Sequence, residues 1–133
     1  MRAKLKLILP FLILAALIAN YSFTQGPPPK QATLAVMKID DVWRVVNSAD
    51  SSCTVKVNRN DKIIWTTEGT NAEFHFNEAI FDTSGSNYYV KDNHKLQLKI
   101  KGDAKPGTYE YSVFCLADSV YAIGCSPPKI IVE

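Results

Sequence analysis

From Gln31 onward, apolar residues recur at every second position in short runs, and each run is cut off by a cluster of turn-forming residues. Thr54-Val55-Lys56-Val57-Asn58 alternates strictly, with Val55 and Val57 on one face, and Val42 to Val46 is rich in β-formers. The Asn58-Arg59-Asn60-Asp61 turn feeds the more apolar run Lys62 to Thr67. Glu68-Gly69-Thr70-Asn71 ends that run, and Glu73-Phe74-His75-Phe76 alternates again. A polar loop over Asp82 to Asn87 precedes Tyr88-Tyr89-Val90. Lys95 to Lys101 turns Leu96, Leu98 and Ile100 inward. After Pro106-Gly107, the strand Tyr109 to Cys115 places Tyr109, Tyr111, Val113 and Cys115 on one face, and Lys129 to Val132 closes the set. Gln31 to Lys38, with contiguous Leu34, Ala35, Val36 and Met37, fits either a first strand or a short helical turn. A short helix around Asn77 to Phe81 is the other helical candidate.

Seven or eight short strands, each with one apolar face, cannot bury those faces singly. The pattern predicts an all-β fold, a Greek-key β-sandwich over residues 34–133 in which two antiparallel sheets pack face to face. No segment beyond residue 24 sustains an i, i+3, i+4 apolar pattern for three turns, and 133 residues suffice for one domain rather than two.

The first 24 residues do not fit that pattern. Arg2, Lys4 and Lys6 precede a nearly unbroken apolar run from Leu7 to Ala19, the charged and apolar regions of a secretory signal. The run is shorter than the roughly 18 to 20 apolar residues of a membrane span, although Leu5 and Tyr21 to Phe23 extend it. Two readings stay open for residues 1–24, a cleaved signal peptide and an N-terminal membrane anchor. Residues 25–33, with Pro27-Pro28-Pro29, read as a Pro-rich spacer of extended polyproline character. Export to the periplasm, the cell surface or the extracellular space follows from either reading.

Three of the 15 basic residues lie in the first 20 residues, which leaves 12 Lys and Arg against 13 Asp and Glu in the remainder. Such a balance gives no electrostatic case for a nucleic-acid partner, and Lys56, Arg59 and Lys62 read as a solvated surface. Tethering through the N-terminal segment is the one route to a membrane. Enzyme chemistry finds no support. No Ser-His-Asp, Cys-His or paired-carboxylate arrangement stands out, Asp40-Asp41 reads as a turn, and no glycine-rich phosphate loop occurs.

Several residues carry a family resemblance. The turn and strand from Asn60 to Trp65, the following Glu73-Phe74-His75-Phe76 and the Pro106 to Cys115 strand resemble a cupredoxin of the plastocyanin and azurin type. The resemblance covers about Val42 to Glu133. It implies a copper cysteine at Cys115 and a first copper histidine at His75. A blue-copper centre needs two imidazoles and a thiolate, usually with a weak axial thioether. The chain after Cys115 contains neither histidine nor methionine, and the second histidine, His94, lies in the polar Lys91-Asp92-Asn93-His94 turn. The type 1 ligand set is therefore incomplete. The expectation is no metal cofactor, with His75 and Cys115, joined by Asp118 or Cys125, as the residues for an unusual copper site.

The three cysteines, Cys53, Cys115 and Cys125, suit an oxidising compartment. A Cys115–Cys125 disulfide is the favoured pairing, since it would hold the intervening loop where the copper of a cupredoxin otherwise holds it, at about 3 kcal/mol of loop entropy. Pairings of Cys53 with either of the others are the alternatives. The expectation for function is an exported cupredoxin-like binding or interaction module of the cell envelope, without a blue-copper site and with an envelope or extracellular partner. The competing expectation is a copper-binding or electron-transfer protein with a non-standard site. The working surface is expected at the end bearing His75 and the Leu116 to Gly124 loop.

Overall fold

The computed structural model describes residues 28–123 and 127–133. The segment expected as signal or anchor, and Cys125, lie outside the described residues. Ten strands make up the fold: β1 (Gln31–Ile39), β2 (Val42–Asn47), β3 (Thr54–Val57), β4 (Lys62–Thr67), β5 (Ala72–Phe76), β6 (Asn87–Val90), β7 (Lys95–Lys99), β8 (Gly107–Cys115), β9 (Val120–Tyr121) and β10 (Lys129–Val132). Eight are the strands read from the alternation. Gln31 to Lys38 takes the strand rather than the helical turn, so the folded part begins before residue 34. The short helix around Asn77 to Phe81 does not form. That stretch bends to bury Ile80 and Phe81 and ends in a bridge between Phe81 and Ile100.

One sheet has the order β2-β1-β4-β7, the other β3-β10-β8-β5-β6, with β9 added to the C-terminal end of β8. The chain crosses between the sheets five times between β2 and β8. Most pairings are antiparallel, but β1 runs parallel to β4 and β10 parallel to β3. The β1–β2 connection is a two-residue turn in which Asp40 and Asp41 have φ of 51° and 62°. Positive φ at both positions matches the right-handed twist of the strands it joins.

The inner faces of the two sheets meet around Trp65 of β4, which is fully buried. Its ring lies 5.7 Å from Phe74, 5.5 Å from Phe76 and 5.7 Å from Tyr111, so one aromatic cluster ties the sheets together. The Trp65 Nε1–H donates to the Tyr111 hydroxyl at 3.1 Å, which satisfies the polar atom of a side chain without access to water. Burial pushes the Tyr111 phenol pKa well above its usual value.

Candidate functional site

The strand register separates the two residues that the resemblance would bring together. In the β5–β8 ladder Cys115 pairs with Ala72, while His75 pairs with Ser112 three positions along. Cys115 follows Tyr111 and Val113 into the core and is fully buried, whereas His75 alternates with the buried Phe74 and Phe76 and is exposed. The two side chains lie on opposite faces of the sheet and roughly 10 Å apart along it, by the rise of a strand. They cannot share an ion. His94 is exposed in its turn, where its Nδ1 lies 2.9 Å from the Asp92 carbonyl oxygen. Among the described residues no three His, Cys, Asp or Glu side chains converge as a metal site would require. The residue opposite Cys115 offers a methyl group instead of an imidazole, so the side chains here do not fit a blue-copper centre.

The end of the sandwich beyond Cys115 is closed by hydrogen bonds. The Leu116 N–H donates to the Asn71 carbonyl at 3.0 Å and the Ala117 N–H to the Thr70 hydroxyl oxygen at 3.0 Å. Asp118 reaches across to the other sheet, where its carboxylate accepts from Trp43 Nε1 at 2.6 Å and Lys38 Nζ at 2.9 Å. Those two hydrogen bonds, Lys38 first, hold the Asp118 carboxyl below its usual range, and the Lys38 ammonium is raised in return. Burial, and then the Asp118 charge, push the Cys115 thiol up to about 11.

The favoured Cys115–Cys125 bridge is corrected by the structure. Cys115 is a free, buried thiol, and Cys53, at the start of β3, is disulfide-bonded. Cys115 points into the core with Tyr111 and Val113. Of the pairings left open, one that uses Cys53 is the one taken. The chain has one further cysteine, Cys125, outside the described residues.

The open site lies on the outer face of the second sheet. Register places Tyr89, Glu73, Phe114 and Tyr121 in one row across β6, β5, β8 and β9, with Asn87, His75 and Ser112 in the next row. Together they line a groove of about 490 Å³. Tyr89 and Tyr121 stand 54% and 60% exposed, far more than any aromatic of the core. Phe114 and Tyr121 pack edge to face with ring centroids 5.1 Å apart. The His75 Nδ1 lies 2.5 Å from the Asn87 amide oxygen, which can only accept, so Nδ1 carries a hydrogen and donates it, and Nε2 is the ring nitrogen left to a ligand. His75 therefore belongs to a sheet face, where Tyr121, from the Leu116 to Gly124 stretch, shares its groove. Sequence reasoning missed Glu73, Tyr89 and Phe114. The available signal was phase: Phe114 alternates out of step with Val113 and Cys115, and Glu73 and His75 out of step with Phe74 and Phe76.

No family model and no curated protein matches the chain. Among solved structures it is similar to an oxidised amicyanin with a proline-to-glycine substitution, at 15% identity and a TM-score of 0.47, covering 76% of this chain and 80% of that one. An oxidised amicyanin with a methionine-to-lysine substitution gives 17% identity and a TM-score of 0.44 over 83% and 87%. A chain of a heme-copper terminal oxidase dimer gives 16% and 0.43, with 100% of both chains covered. Likenesses of this degree do not bear on what the chain binds. The described residues form a sandwich of two mixed sheets with a buried cysteine closing the β8 strand.

Proposed function

We propose that this is an exported cupredoxin-like binding module of the cell envelope, which engages an envelope or extracellular partner through the groove on its outer sheet face. The observation that carries the reading is the division of the cupredoxin-like sites. Cys115 is shut inside the core opposite Ala72, while the open, aromatic-lined surface lies on the other face of the same strands. The disulfide at Cys53 supports an oxidising compartment. Binding is favoured over catalysis because the His75 ring spends its resolved hydrogen bond on Asn87, not on the neighbouring Ser112 hydroxyl.

A photo-crosslinking residue placed at Tyr89 or Tyr121 in the producing cells tests the reading. Discrete adducts are expected from both positions and none from Gln97, on the outer face of the other sheet. Silence at both groove positions, or equal labelling at all three, removes the groove as the working surface. A copper titration of the purified protein tests the competing reading. Stoichiometric binding with intense visible absorption would reassign the protein to copper handling or electron transfer.

A further inference from the structure

We infer that the groove is built for a planar organic cation, the guanidinium of an arginine side chain presented by a partner polypeptide. The inference rests on the binding role proposed for this face and adds the chemistry of what it takes. Among the described residues that line the groove there is one carboxylate, Glu73, and no lysine or arginine. Register sets that carboxylate between aromatic side chains, with Tyr89 on one neighbouring strand and Phe114 on the other, each about 4.8 Å away by strand spacing. A cation beside Glu73 would meet ring faces as well as the charge, and both attract it.

The second row selects the shape of the cation. In its neutral form His75 presents Nε2 as an acceptor, its Nδ1 hydrogen being committed to Asn87, and Ser112 adds a hydroxyl oxygen on the far side of His75. A guanidinium is flat, stacks on aromatic rings and directs five N–H donors in its plane. It can fork onto Glu73 and still donate to the neighbouring row, whereas an ammonium is a compact, strongly hydrated point charge.

The test is an amide-detected NMR titration of the intact domain with three probes: N-acetylarginine amide, N-acetylcitrulline amide of the same shape without charge, and di-N-acetylchitobiose. The arginine probe is expected to move the signals of Glu73, His75, Ser112 and Tyr89, and the citrulline probe to leave them in place. Glu73→Gln, at an exposed position that leaves the core intact, is expected to weaken the arginine response about fivefold. Equal responses to arginine and citrulline, or an arginine response unchanged by Glu73→Gln, overturn the assignment. Groove shifts with the sugar and none with arginine also overturn it, but leave the groove a binding surface. The crosslinking experiment decides that surface separately.

Discussion

A thiol can hold copper or attack a disulfide only as its thiolate, and the surroundings of Cys115 oppose that form twice, by burial and by the Asp118 carboxylate. Its pKa rises from 9.0 to about 11 on folding, so the native state holds this proton more tightly than the unfolded chain. The resulting stability is complete below pH 9.0 and is lost as the pH climbs through about 11. Native protein is therefore expected to resist a thiol-specific reagent at about pH 8 and to react in denaturant. Its urea midpoint should fall more steeply above pH 9.0 than that of Cys115→Ala. Rapid native labelling would show that the sulfur is not where the fold places it. Tyr111 supports a second expectation at this scale. Tyr111→Phe strips Trp65 Nε1 of its acceptor in a dry interior, at a cost of about 1 to 3 kcal/mol in urea unfolding.

Among the elements, β4 and β10 end where their alternation ends, at Lys62–Thr67 and Lys129–Val132. β1 was ambiguous for a physical reason. Leu34 and Val36 enter the core while Ala35 and Met37 sit half-buried on the outer face, so both faces are apolar and the period of two is blurred. β9 is two residues long and exists through its pairing with Phe114 and Cys115, which no local pattern announces. The candidate site was legible to the same partial degree. Phase alone puts His75 outside and Cys115 inside, but the row from Tyr89 to Tyr121 depends on register among four strands distant in sequence. The β1–β2 turn offers a test of local geometry. Asp40 and Asp41 both occupy the left-handed region, and replacing them together by Asn-Gly is expected to stabilise the domain by about 1 kcal/mol in chemical denaturation. A loss of stability would mean that the aspartates do more than turn the chain.

At the scale of the molecule, an aromatic centre joins the two sheets and a disulfide at Cys53 secures the start of β3. Removing a native disulfide from a small exported domain costs about 2 to 5 kcal/mol. A phosphine reductant is thus expected to lower the melting temperature by about 10 °C or more, and Cys53→Ser to reproduce the loss without reductant. Cys115→Ala should keep its response to reductant, because Cys115 is free. The parallel pairing of the first and last strands in chain order, β1 with β4 and β10 with β3, has a further consequence. β1 begins and β10 ends beside the same turn at residues 58–61: the Lys30 N–H donates to Asp61 Oδ1 at 2.8 Å and the Glu133 N–H to the Val57 carbonyl at 2.9 Å. With both ends of the sandwich gathered at one pole, the domain can be spliced into a surface loop of an unrelated host protein without prising that loop open. The groove, on the flank of the sandwich, would then project clear of the graft.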